Sequence, residues 1–144
     1  LNCAEPGQLR QLGGKVSKLL RPGGKFIAVV MGRKCLIENV YFSIKSPEKK
    51  NRRKSKQPVP ANLSAFSFPV WYYSPHEFSE LFQPWLDTTA SRPVGLFIPP
   101  SWMNHHLSGS GALKTGAGIL ERITSNIGAL SDYADHYIIE FTNR

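Results

Sequence analysis

Few side chains of this 144-residue chain stand at spacings that do chemistry. The histidines are His76, His105, His106 and His136. His105 and His106 are adjacent but lack a third ligand at metal-site spacing, so zinc is not predicted. Cys3 and Cys35 lie far apart and outside any paired-ligand pattern, which reads as two free thiols. A nucleophilic Cys35 would need a histidine and a field that lowers its pKa, and the sequence shows neither. His76 falls in the first turn of an expected helix and reads as a surface residue. The nucleophile elbow of hydrolases is absent. Glycines cluster at Gly13–Gly14, Gly23–Gly24 and Gly109–Gly118, but no cluster follows a strand and opens a helix, the context of a nucleotide-binding loop.

Composition sets the outer limits. Hydrophobic residues at 41% and aromatics at 11% are ordinary for a folded domain, and the length allows one domain over residues 1–144. No apolar run approaches the roughly 18–20 residues of a membrane span. No signal-like start is present, and free thiols suit a reducing compartment, so a cytoplasmic location is expected. A chain opening on Leu1 instead of Met is expected to be a piece of a longer one. The net charge of +8 is concentrated in one segment: Lys45, Lys49, Lys50, Arg52, Arg53, Lys54 and Lys56 stand against Glu48 alone. The rest carries 11 basic against 9 acidic residues, so a basic loop over 45–60 is predicted instead of a basic face across the fold.

The elements that must position any site are organised around Leu19–Gly32. Pro22 cannot continue a helix, and Gly23 or Gly24 can take the positive φ that ends one. Upstream, Glu5 and Pro6 suit a helix start, and Leu9, Leu12, Val16, Leu19 and Leu20 form its apolar stripe. Gly13–Gly14 weakens that helix by about 1 kcal/mol each relative to Ala, so packing must hold it. Phe26–Met31 is a continuous apolar run, which predicts a strand covered on both faces. Arg33–Ile44 reads as a helix whose apolar side is Leu36, Ile37, Val40, Tyr41 and Ile44. The basic loop, read as solvated, follows and ends in Gln57-Pro58-Val59-Pro60.

Ser64–Ser74 alternates but contains Pro69, which fits an edge strand or a pair of short strands. Ser74-Pro75-His76-Glu77 is a capping box, opening a helix with Phe78, Leu81, Phe82 and Trp85 on its apolar face. Asp87–Ile98 reads as a strand with Val94, Leu96, Phe97 and Ile98 buried, stopped by Pro99-Pro100. A short helical piece over Ser101–His106 and a flexible Ser108–Gly111 joint follow. Leu113, Ala117, Leu120, Ile123, Ile127 and Leu130 predict a long amphipathic helix over Ala112–Leu130. His136–Phe141 is the last strand, with Tyr137, Ile139 and Phe141 facing one way.

A helix ending in Leu19-Leu20-Arg21-Pro22-Gly23-Gly24-Lys25-Phe26, followed by an apolar strand, resembles the junction before strand five of class I S-adenosylmethionine-dependent methyltransferases. The closing strand–helix–strand order resembles their strands six and seven. The resemblance implies the carboxyl-terminal half of a Rossmann-like α/β sheet: strands five to seven, the last antiparallel and between the other two, with flanking helices and an added edge strand. It also implies methyl transfer to a small-molecule acceptor with S-adenosyl-L-methionine as cofactor. By position, Asn2 and Cys3 would lie beside the cofactor, and Met31, Gly32 and Arg33 would face the substrate. Tyr72 and Tyr73 would supply aromatic walls.

The family's Gly-rich loop and ribose-binding acid are missing, so the chain alone is expected to bind the cofactor weakly or not at all. Methyl transfer rests on positioning, so no catalytic dyad is required. The alternative is a binding module that uses the basic loop on nucleic acid or an anionic membrane. Aromatic residues do not alternate with those charges, which weighs against nucleic acid.

Overall fold

The computed structural model describes residues 1–63, 65–100, 103 and 111–144, with only the backbone of 63, 112 and 113. The Ser101–His106 piece, the His105–His106 pair and most of the Ser108–Gly111 joint lie outside the described residues.

The first helix, α1 (Pro6–Leu19), begins where the Gln8 side chain accepts from the Glu5 backbone N–H at 3.0 Å. It ends at the predicted turn, where Gly23 takes φ +73°. The last strand completes that end. The Asn143 side-chain amide donates to the carbonyls of Leu20 (2.8 Å) and Ser17 (3.1 Å), satisfying groups a helix terminus leaves open. Strand β1 (Lys25–Met31) then leads to helix α2 (Leu36–Lys45) and two short 3-10 turns, Pro47–Lys49 and Arg52–Lys54.

Strands β2 (Val59–Leu63) and β3 (Phe66–Val70) form a separate antiparallel hairpin with Pro60 opposite Pro69. The added edge strand expected on the main sheet is thus a self-paired ribbon; two facing prolines, which lack N–H donors, suit an isolated pair better than a sheet interior. Helix α3 (Pro75–Phe82) opens on the predicted capping box: Ser74 Oγ accepts from the Glu77 N–H at 3.2 Å, and Glu77 Oε2 accepts from the Ser74 N–H at 2.9 Å. Strand β4 (Leu86–Val94), helix α4 (Gly111–Thr124), a 3-10 segment (Gly128–Tyr133) and β5 (His136–Asn143) complete the chain.

The result is a mixed α/β fold around a three-stranded antiparallel sheet of order β1-β5-β4. Both outer strands run antiparallel to β5 and therefore parallel to each other. The last strand thus occupies the central place expected of it, although three strands do not by themselves make a Rossmann-like sheet. Tyr137, Ile139 and Phe141 on β5 pack with Ala28 and Val30 of β1, Leu9 of α1 and Phe78, Leu81 and Phe82 of α3. The rings of Phe82 and Phe141 lie 5.0 Å apart, and those of Phe78 and Phe82 also 5.0 Å.

Gly13 explains why α1 tolerates its weak centre. A Cβ there would stand 2.9 Å from the Trp85 ring and 3.1 Å from Phe82, so the glycine lets helix and ring approach closely.

Several amphipathic expectations are overturned. Phe26–Met31 is covered on one face only: Ile27 and Val29 are 59% and 56% exposed, and β1 is an edge strand. Alternation in the sheet sends Ala28 and Val30 to the helices and their neighbours to the bare side. Helix α2 buries Glu38 and Phe42; of its expected apolar side Ile37 and Tyr41 are half-buried, while Leu36, Val40 and Ile44 are exposed. Helix α4 stops at Thr124, and its Leu120 and Ile123, with Ile127 beyond, are exposed. The buried part of the β4 region is Leu86, Pro93 and Leu96, whereas Val94 and Ile98 are exposed.

Replacing Gly13 by Leu should lower stability by about 1–3 kcal/mol through overpacking against Trp85. Gly7→Ala, where an added Cβ meets nothing within 4 Å, should instead hold or raise it. Thermal melts of the two variants beside the parent check the contrast.

Candidate functional site

The carboxyl ends of β1 and β4 meet the start of β5, with Met31 and Val94 both opposite His136. Gly32 is held there by its N–H on the Asp135 carbonyl at 2.8 Å and bridges in parallel to Tyr73. A Cβ on Gly32 would lie 2.5 Å from the Ala134 carbonyl oxygen, so only glycine fits.

Beneath this point lies a buried ion cluster. Arg53 Nη2 donates to Glu38 Oε2 at 2.6 Å and to Asp135 Oδ1 at 2.8 Å. Its Nη1 reaches the Gly32 and Asp135 carbonyls, both at 3.3 Å, and the guanidinium lies 4.8 Å from the centre of the Tyr72 ring. Arg52 grips Glu38 with two hydrogen bonds, 2.9 and 3.0 Å. The other Asp135 oxygen meets His136 Nδ1 at 2.9 Å. Burial alone would raise the Glu38 carboxyl, but hydrogen bonds from Arg52 and Arg53 outweigh it and hold its pKa below the ordinary value. Asp135 behaves likewise: burial opposes its charge, and the His136 hydrogen bond and Arg53 prevail.

The segment read as a solvated basic loop is therefore divided. Its two arginines turn inward to the α2 carboxylate, while Lys45, Lys49, Lys50, Lys54 and Lys56 stay exposed.

The sequence-predicted residues fall around this cluster. Asn2 is buried and fully engaged: Nδ2 donates to the Trp71 carbonyl (2.6 Å), Oδ1 accepts from the Met31 N–H (3.0 Å), and its carbonyl accepts from the Trp71 N–H (2.7 Å). It ties the end of β1 to the strand segment after the hairpin. Cys3 is exposed and free. Met31 is half-buried beside Gly32. Arg33 donates through Nε to Glu77 (2.9 Å) and through Nη1 to the carbonyls of Lys54 (3.0 Å) and Ser55 (2.7 Å).

Tyr72 lies buried against Arg53. Tyr73 is buried too, its hydroxyl donating to the Ala4 carbonyl at 3.3 Å, and burial pushes its pKa up to about 12. Its hydroxyl therefore stays protonated near neutral pH and donates, instead of acting as a base. Burial likewise pushes the Cys35 thiol up to about 11, which removes it as a nucleophile at neutral pH.

Outside the cluster an open depression of about 460 Å³ is lined by Arg33, Lys34, Ser74, His76, Glu77 and Asp132. It combines both signs of charge at the mouth of β1. Lys34 is paired with Asp132 and Arg33 with Glu77, so these charged groups satisfy one another.

Glu38, Arg53 and the Asp135–His136 pair were missed by sequence reasoning. Glu38 sits in a helical pattern whose apolar residues point elsewhere, and nothing local reveals its burial. The Asp-His dipeptide at the head of a strand was the one available signal.

No protein-family model matches the chain, and a search of curated proteins finds no match. Among the described residues no group of side chains could hold a metal ion, and no helix is long and apolar enough to cross a membrane. The described residues do not fit S-adenosylmethionine on their own: the Asn2 amide is spent on backbone, and both nearby buried carboxylates are committed to Arg53.

Arg53→Met should destabilise the fold by about 3–5 kcal/mol, because it leaves two carboxylates buried without their cation. Denaturant titration at neutral pH reads this directly. The unfolded values of Glu38 and Asp135 are near 4.5 and 3.8, and both are lowered by folding. Their ionised forms thus contribute stability that is complete above those values and disappears as pH falls through the depressed ones. Melting temperature should fall steeply below about pH 4.5, and Glu38→Gln, weaker at neutral pH, should show a shallower acid decline.

Proposed function

We propose that this chain is the carboxyl-terminal part of a class I S-adenosylmethionine-dependent methyltransferase that acts on a small-molecule acceptor. One observation carries the reading: the last strand lies between two mutually parallel strands and antiparallel to both, behind a Pro-Gly-Gly turn that feeds the outer strand. The one-sided sheet is accommodated as well. In a doubly wound sheet a further parallel strand would run along the open edge of β1, and a second helix layer would cover Ile27 and Val29.

On this reading the chain contributes the acceptor side. Arg33, Glu77 and the neighbouring depression orient the acceptor, and orientation supplies most of the rate in a direct displacement. His136 stands at the same strand end but is not among the residues that line the depression, so no base is assigned there. Asp135 holds its Nδ1 and leaves Nε2 turned away from the carboxylate. His76 borders the depression but is exposed, with its nearest carboxylate, Glu80, at 3.7 Å.

Calorimetry tests the reading. The 144-residue chain should give no heat with S-adenosylmethionine, and a longer chain that includes the preceding sequence should bind it. A well-folded longer chain without binding would end the proposal. In that longer chain Arg33→Gln should lower acceptor kcat/KM by about tenfold or more while cofactor binding persists.

A further inference from the structure

Just beyond the carboxyl end of β4 the backbone forms a cradle of donors. Three successive amides converge there on the Glu121 carboxylate. Those of Gly95 (2.6 Å) and Leu96 (3.2 Å) donate to Oε1, and that of Phe97 (2.8 Å) donates to Oε2. Gly95 takes φ +72°, a left-handed turn that lets consecutive N–H groups face one point and form a concavity for an anion. The cradle is fixed to the central strand without help from Glu121, because the Gly95 carbonyl accepts from the Asp135 N–H at 3.2 Å and Leu96 is buried. Its occupant comes from α4, a helix that turns apolar side chains outward. Ala117, Glu121 and Thr124 are half-buried, whereas Ile119, Leu120 and Ile123 are 56%, 47% and 66% exposed. Added Cβ atoms at Gly116 and Gly118 would meet nothing within 4 Å. Other side-chain hydrogen bonds of α4 stay within the helix, so among the described residues Glu121 is the one polar side chain tying α4 to the body.

We propose that the Gly95–Leu96–Phe97 cradle is an oxyanion-binding site filled from within by Glu121, and that a phosphate or carboxylate group taking its place releases α4. The bound side chain displays the chemistry the cradle selects: two oxygens of an anion shared among three N–H donors. Those donors are already aimed, so one anion replaces another with little reorganisation of the turn. A cation finds nothing there, because the turn offers only donors. Packing of Ile119, Leu120 and Ile123 does not secure α4, since all three face solvent. Were Glu121 only a cap for the turn, those side chains would be expected to face the body as well. What ties the helix down is thus open to exchange with a ligand that offers the same oxygens. The cradle shares no residue with the Arg33–Glu77 depression and does not rest on the methyltransferase reading.

Amide NMR of the 144-residue chain tests it, with inorganic phosphate, acetate and chloride as probes. In the parent the tethered carboxylate competes at an effective concentration on the order of millimolar, so the Gly95, Leu96 and Phe97 amides should respond only at high phosphate. Glu121→Ala should bring that response to phosphate concentrations at least about tenfold lower and should speed hydrogen exchange over residues 114–124. Glu121→Gln, which keeps an acceptor oxygen without the charge, should fall between the two and gives the reading if the alanine variant does not fold. The parent saturated with phosphate should show the same faster exchange in α4. A stronger response to phosphate than to acetate assigns a phosphate group as the ligand, and the reverse assigns a carboxylate. The proposal is overturned if the amides of the folded variants ignore both anions or respond no better than the parent's. It also fails if chloride acts as well as either oxyanion, or if α4 exchanges no faster once phosphate fills the cradle.

Discussion

Arg53 is the tie on which one end of this molecule depends. Its guanidinium joins Glu38 of α2, Asp135 at the head of the central strand and the carbonyl of Gly32 at the end of β1. Three segments far apart in sequence are thereby fixed to one planar cation, and Tyr72 closes over its face. A lysine could not reproduce this, since the arrangement uses both terminal nitrogens and a flat surface for stacking. Such a cluster is costly to desolvate and is worth most as a constraint on geometry, holding the strand ends in a single relation.

The remainder of the fold is a one-sided construction. Phenylalanines from α3 and β5, with Leu9 of α1, fill the layer between helices and sheet. At the far end of the sheet Asn143 closes α1 with its side chain and starts the ladder to β1 with its backbone. The two ends are thus secured by different means: hydrogen bonds to a helix terminus at one, a buried ion cluster at the other. The aromatic core between them supplies most of the hydrophobic stabilisation.

The bare side of the sheet and the outward stripe of α2 are the features that a self-contained domain would not be expected to carry. Ile27 and Val29 lie on a sheet face, beside an open strand edge. The α2 stripe lies on the helix face opposite Glu38 and Phe42. In both cases apolar periodicity is real, and what varies is the partner that the apolar side chains meet.

Local signals were enough for the turn at Pro22–Gly24, the Ser74–Glu77 capping box, the strand at His136 and the shared face of Tyr137, Ile139 and Phe141. Each rests on chemistry confined to a few neighbouring residues: a fixed φ, a reciprocal cap, a period of two. In β1 and α2 tertiary structure alone decided which side chains face inward. Periodicity shows that a helix has an apolar side but not what lies against it, and in α2 a carboxylate with two arginine partners took the interior. The same limit hid the site. Arg53 looked like one more charge in a basic run, because the partners that bury it come from Glu38, 15 residues before it, and Asp135, 82 residues after it.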